Sequence, residues 1–195
     1  MAHLVNEDIV FKVNDHREEQ IQWFGNIKVL VVDSFYRNPQ LVRNLALAIP
    51  PSSKIKRGGY PAYTINASYD LSGLGPVYND YIQRHFPNRL DSEYVNWNLS
   101  QATFMVNVMQ SFGNEDMFPH IDNPSGENVA SSIYLNTDDE CSGGTSFFEN
   151  DEFLGYVEMK YNRMVMYLQN VQHTAYMEEG SFDRRLYRIN QQFFI

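Results

Sequence analysis

The sequence predicts a β-sandwich or barrel core carried on an α-helical N-terminal support, and three observations predict it. From about Tyr94 onward, short extended segments alternate with turn residues and show no helical periodicity. Before that point, two segments carry helix start and stop signals. At 195 residues the chain fits one domain, with residues 1–95 as support and 96–195 as core. Thirteen Phe and thirteen Tyr supply ample apolar volume for that core.

Asn14 to Gln22 reads as a short helix or an irregular arm. Lys28 to Asp33 (KVLVVD) is a continuous β-branched run, the pattern of a buried strand. Asn38-Pro39 then reads as a helix N-cap followed by proline at the first helical position. Leu41, Leu45 and Ala48 share one face of that helix, which Pro50 and Pro51 end. Lys54 to Tyr63 (KIKRGGYPAY) reads as a loop. A second helix is expected from Pro76 to Phe86, with Val77, Tyr78, Tyr81 and Ile82 inward and Pro87 as its stop. Strands follow near 101–110, 117–122, 129–136, 144–149, 155–160, 163–168, 172–176 and 185–194.

Fifteen basic against 24 acidic residues give a net charge of −9, which opposes steering toward nucleic acid or anionic membranes. No apolar run approaches the ~18 residues of a spanning helix, and Met1 to Val10 has no signal-peptide core. Cys141 is the one cysteine, so neither a disulfide framework nor a cysteine zinc cluster can form. The expectation is a soluble cytoplasmic protein that acts on a small-molecule or peptide substrate; its oligomeric state is not written in the sequence.

The chemistry lies in His120-Ile121-Asp122, in His173 and in Arg188. Two residues apart on an extended strand, a histidine and an aspartate project to the same side. His173 follows Asp122 by 51 residues and opens another expected strand. Adjacent strands could bring the three side chains onto one face of a metal, the two-His-one-carboxylate pattern of non-haem Fe(II) oxygenases. On the plain reading, His120 is a surface residue and Asp122 opens the Asn123-Pro124 turn. Alternation places Arg188, Asn190 and Gln192 on one strand face, a polar row suited to a lined pocket. Tyr134 likewise shares a face with the small Ser132 and Ala130, which leave room for a bound molecule.

HIDNPSGENVASSIYLN at 120–136 resembles the segment that carries the first metal ligands in Fe(II)/2-oxoglutarate-dependent oxygenases, most closely the prolyl-hydroxylase-like branch. GGTSFF at 143–148, KYNRMVMYLQNVQHTAY at 160–176 and RINQQFFI at 188–195 follow in the family's order, so the resemblance covers residues 100–195. It implies a double-stranded β-helix (jelly-roll, cupin-like) core, with His120, Asp122 and His173 as Fe(II) ligands. Arg188 would bind the distal carboxylate of 2-oxoglutarate, as a planar guanidinium can through two parallel hydrogen bonds. Tyr134 would reach the same carboxylate, and Thr145 would touch the co-substrate or support the Gly143-Gly144 turn. Arg188 stands 15 residues after His173, with Tyr187 where the family has glycine. Arg184 and Arg185 therefore stay open as alternatives to it.

The implied activity is that of a dioxygenase using Fe(II), 2-oxoglutarate and O2, with ascorbate as an accessory reductant. It would hydroxylate a peptidyl or free amino acid such as proline and release succinate and CO2. The rival reading is a non-catalytic metal- or small-molecule-binding domain on the same fold. A zinc hydrolase would use the same ligands, but no glutamate at helical spacing from the histidines offers a general base.

Overall fold

The computed structural model describes residues 6–48, 54–57, 60–87, 101–107, 118–126, 128–140, 142–176 and 188–195; over 54–68 and 101–107 it describes the backbone alone. Eleven strands and three α-helices occur among them, the first helix, α1, at Glu7–Val10. The fold is mainly antiparallel β-sheet with few helices, a jelly-roll-like sandwich. No described helix is long and apolar enough to cross a membrane.

Eight strands make one large sheet and three a small one. In chain order they are β1 (Glu18–Phe24), β2 (Ile27–Asp33), β3 (Lys54–Arg57), β4 (Tyr60–Ser68), β5 (Gln101–Asn107), β6 (Val129–Tyr134), β7 (Gly144–Glu149), β8 (Glu152–Glu158), β9 (Met164–Leu168), β10 (Gln172–Tyr176) and β11 (Arg188–Phe194). The large sheet runs β1-β2-β9-β6-β11-β5-β4-β3, and the small sheet runs β10-β7-β8. From β6 onward the chain passes repeatedly between the two sheets, which brings their inner faces together.

Side-chain alternation splits the large sheet into two apolar layers. Leu30 and Val32 of β2, Ile133 of β6, Met164 and Met166 of β9 and Ile189 of β11 face the helices. There they meet Val42 and Ala46 of α2 (Pro39–Ala48) and Tyr78, Tyr81 and Ile82 of α3 (Gly75–His85). The alternate residues Val29, Val31, Ala130, Tyr134, Val165 and Tyr167 pack with Phe147 and Val157 of the small sheet. The metal-ligand candidates lie on this second, inter-sheet side.

Several N-terminal expectations are corrected. Where residues 14–22 read as a helix or arm, β1 forms and pairs with β2, Phe24 opposite Ile27. Only Gly25 and Asn26 join them, and Gly25 takes a φ of +56°, the left-handed conformation that such a tight hairpin requires. The segment 54–63 forms β3 and the start of β4, with Arg57 opposite Tyr60. Their two-residue connection is Gly58-Gly59, itself a hairpin signature. The N-terminal half thus supplies four sheet strands as well as helices. Helix α2 starts at Pro39 as expected, but it buries Val42 and Ala46 and leaves Leu41 exposed. Both stripes have helical spacing, and the packing surface selects between them.

Arg163 and Lys160 fasten the N-terminal strands to the core. Arg163 donates to both Asp33 oxygens, at 2.6 and 3.0 Å, and the Lys160 ammonium lies 3.0 Å from Oδ2. Hydrogen bonds from Arg163 hold the Asp33 carboxyl below the usual aspartate range, against an opposing effect of burial.

Candidate metal centre

Strand β10 and the segment 118–122 meet at a single point. His120 N–H donates to His173 O at 2.9 Å, and His173 N–H donates to His120 O at 3.0 Å, a reciprocal antiparallel pair. Opposed residues on paired strands point to the same face, so the two rings stand 4.5 Å apart, centroid to centroid. Asp122, two residues on from His120, turns its carboxylate between them. Its Oδ1 lies 3.5 Å from His120 Nε2 and its Oδ2 lies 3.5 Å from His173 Nε2. These separations exceed an ordinary N–H···O contact of about 2.9 Å and leave space for an ion. One ligand atom from each of the three residues lies within 4.8 Å of the others.

The rings are oriented from behind. His173 Nδ1 is 2.9 Å from Val171 O, which places the proton there and leaves Nε2 as a free lone pair. The His120 ring likewise hydrogen-bonds the backbone of Phe118. Both supports come from two residues earlier in the chain. Burial holds the His173 imidazole down to about 4, so it is neutral and ready to ligate at physiological pH. The Asp122 carboxylate raises His120, whose side chain is 45% exposed.

Gln169, in the β9–β10 turn, binds the Asp122 segment to the His173 strand. Its carbonyl accepts the N–H groups of Asp122 and Asn123, both at 3.1 Å. Its own N–H donates to Asn128 O at 2.9 Å, and its side-chain amide donates to Val129 O at 3.0 Å. Nothing in the sequence marks this residue, because its role depends on where the turn lands. Tyr167 also escaped sequence reasoning; its ring lies 4.7 Å from that of His173.

The remaining candidates gather on the inner faces of β6, β7 and β11. Arg188 is 4% exposed, and its Nη2 donates to Gly144 O at 3.1 Å. Its guanidinium carbon lies 5.8 Å from the centre of the Tyr134 ring. Its Nε is buried without a hydrogen-bond partner, and no described carboxylate pairs with it. A buried guanidinium with an unused donor is costly unless an anion joins it. The Tyr134 hydroxyl lies 2.6 Å from Thr145 Oγ1. Asn190, two residues after Arg188, is buried with its Oδ1 also unpartnered. Gly144 is forced by space: a Cβ there would stand 1.9 Å from Val157 O. Arg184, Arg185 and Cys141 lie outside the described residues, as do the side chains of Met105, Asn107, Lys54, Lys56 and Arg57.

The donor set, two imidazoles and one carboxylate, suits a divalent first-row metal. Arg188, on β11 of the large sheet, reaches Gly144 O on β7 of the small one.

Known structures share this fold. A Pseudomonas putida prolyl-4-hydroxylase superposes with a TM-score of 0.50 at 14% identity, over 96% of this chain and 95% of that one. A Trichoplax adhaerens prolyl hydroxylase, solved in complex with a hypoxia inducible factor oxygen degradation domain peptide fragment, gives 0.53 at 14% identity, over 85% and 81%. No curated protein matches the chain by sequence. One family model does match, over residues 17–154, a span that includes His120, Asp122, Tyr134 and Thr145 and stops short of His173 and Arg188. The chain therefore belongs to DUF6445, a family of unknown function.

Proposed function

We propose that this protein is an Fe(II)- and 2-oxoglutarate-dependent dioxygenase of the prolyl-hydroxylase-like branch, hydroxylating its substrate with release of succinate and CO2. The observation that carries the reading is the convergence of His120, Asp122 and His173, with ligand atoms within 4.8 Å of one another on two separate segments. The strand distribution supports it. β5, β6, β9 and β11 stand together in the large sheet, while the His120 bridge, β10, β7 and β8 stand together in the other, as in a double-stranded β-helix. On this reading residues 96–195 are the catalytic core and 1–95 its support, within one domain.

Bound iron would supply activation of O2 coupled to oxidation of the keto acid. The chain's own residues have three tasks. His120, Asp122 and His173 hold the ion from one side and leave the other open. Val171 O fixes the His173 imidazole in the tautomer that ligates. Arg188 takes the distal carboxylate of 2-oxoglutarate, using the Nε that the free protein leaves unpaired, and Tyr134 and Thr145 contribute hydroxyls beside it.

A peptidyl or free amino acid, proline among them, is the proposed target. The Trichoplax relative was solved with a peptide, and the net charge of −9 disfavours nucleic acid. The test is succinate formation with Fe(II), ascorbate and 2-oxoglutarate, comparing the wild type with Asp122→Ala. Succinate from the wild type and at least ~100-fold less from the variant supports the reading. Equal turnover in the two proteins defeats it.

A further inference from the structure

Strands β6 and β11 separate beside Arg188, and side chains bring that about. Their register pairs Asn190 with Tyr134; continued outward, it sets Ile189 opposite Leu135 and Arg188 opposite Asn136. An antiparallel pair at Ile189 and Leu135 would exchange two main-chain hydrogen bonds. Only one of them forms, with Leu135 N–H donating to Ile189 O at 3.0 Å. Ile189 N–H donates instead to Asn136 Oδ1 at 2.6 Å, and Leu135 O accepts from Arg43 Nη1 at 2.7 Å. Two side chains thus replace the second ladder bond, at the last step before Arg188.

Asn136 is itself held. It is 1% exposed, and its amide nitrogen lies 3.4 Å from Glu140 Oε2, an oxygen that also accepts Thr137 N–H at 3.0 Å. With an N–H at its oxygen and a carboxylate at its nitrogen, the carboxamide has one satisfied orientation. Arg43, on α2, closes the unit: Nη1 and Nη2 meet the two Glu140 oxygens at 2.7 and 2.5 Å. Paired guanidinium–carboxylate bonds fix direction as well as distance. The ion pair is also shielded, its side chains 11% and 17% exposed, so salt screens it weakly. A continuous set of contacts therefore runs from helix α2 through Glu140 and Asn136 to the peptide group that follows Arg188.

That peptide group governs where Arg188 points. Arg188 is the first residue of β11, and its guanidinium crosses to Gly144 O on the small sheet, with Nε unpartnered. A long side chain is placed only as well as the backbone it grows from, and binding geometry tolerates errors of about 0.5 Å. We propose that Asn136, backed by Glu140 and Arg43, is a positioning residue for the Arg188 anion site: it fixes the Arg188–Ile189 peptide and with it the direction of the guanidinium. The inference rests on the reading of Arg188 as the partner of the 2-oxoglutarate carboxylate, and it extends that site to a helix and a turn.

The experiment is calorimetric titration of 2-oxoglutarate into the Mn(II)-loaded full chain, with Mn(II) affinity measured separately. Asn136→Ala is expected to weaken 2-oxoglutarate binding roughly tenfold or more and to leave Mn(II) affinity within about twofold, because the metal ligands sit on other segments. Arg43→Met releases Glu140 and Leu135 O together; it is expected to weaken the same binding several-fold and decides the matter if the alanine variant does not fold. The exchange pair Asn136→Asp with Glu140→Gln keeps an acceptor for Ile189 N–H and reverses the sense of the amide–carboxylate contact. It is expected to bind 2-oxoglutarate within about threefold of the wild type. Ile82→Val, in the core beneath α3, is expected to lower the melting temperature without changing either affinity. Parallel loss of both affinities, or an exchange pair no better than Asn136→Ala, marks general loosening and overturns the positioning role. Unchanged 2-oxoglutarate affinity in Asn136→Ala and Arg43→Met, where Arg188→Met abolishes it, overturns that role alone. Affinity that survives Arg188→Met removes the anion site itself, and the positioning role with it.

Discussion

The Tyr134 hydroxyl and Thr145 Oγ1, 2.6 Å apart, tie β6 of the large sheet to β7 of the small one beside the Arg188 guanidinium. Tyr134→Phe would leave the buried Thr145 hydroxyl without this partner, at a cost of about 1–2 kcal/mol. A melting temperature lower by roughly 2–8 °C is expected by calorimetry, together with weaker 2-oxoglutarate binding. The double variant with Thr145→Val is expected to recover part of the stability but none of the binding. Full recovery of both would show the hydroxyl pair to be structural alone.

Arg188→Met separates stability from binding in the opposite sense. The guanidinium is buried with an unused donor, so an apolar side chain of similar length is expected to leave the ligand-free protein as stable or more so. Calorimetric titration of the Mn(II)-loaded protein is expected to show 2-oxoglutarate affinity reduced at least ~100-fold. If affinity persists, the anion site belongs elsewhere, and Arg184 and Arg185 are the next residues to replace.

Gln169→Ala removes the amide that clamps the β9–β10 turn against Val129 O. The carbonyl that holds Asp122 would then be free to shift, so Mn(II) or Fe(II) affinity is expected to fall roughly 10–100-fold. Loss of thermal stability without any loss of metal affinity would count against a positioning role.

The Asp33 clamp gives a pH dependence. Its folded-state pKa lies below the ordinary 3.8, so the unfolded chain takes up its proton first as pH falls. The stabilisation is complete above about pH 5 and disappears as pH drops through the folded value. Asp33→Asn is therefore expected to lower stability by a near-constant amount from pH 5 to 8, roughly 1–2 kcal/mol given the part-exposed setting. The gap is expected to close below pH 4; urea midpoints measured across that range test it.

Replacing Gly144 with alanine is a steric test. The added Cβ would meet the Val157 carbonyl at 1.9 Å, which no side-chain adjustment can relieve. A loss of more than about 3 kcal/mol is expected, read from denaturant midpoints, because β7 and β8 would have to separate.

Much of this architecture was legible in the sequence because periodicity reports burial. KVLVVD became β2, and Tyr78, Tyr81 and Ile82 became the inner face of α3. Of the polar row Arg188, Asn190 and Gln192, the first two are buried on β11 and Gln192 is half-buried. The β1–β2 hairpin was missed because its edge strand β1 is half-solvated and carries the polar sequence EEQIQWF. The dipeptide Gly25-Asn26 between β1 and β2, and Gly58-Gly59 in the sequence between β3 and β4, were the available signal. At the centre, residue types and spacing nominated His120, Asp122 and His173, but Gln169 and Val171 act through main-chain carbonyls, which any residue could provide.

The reciprocal main-chain pair of His120 and His173 joins segments more than fifty positions apart, so an unfolded chain cannot present both imidazoles together. Any metal ion held there therefore reports on, and reinforces, the closure of the sandwich, and the melting temperature rises with metal concentration. Metal supply would then govern how long the polypeptide survives.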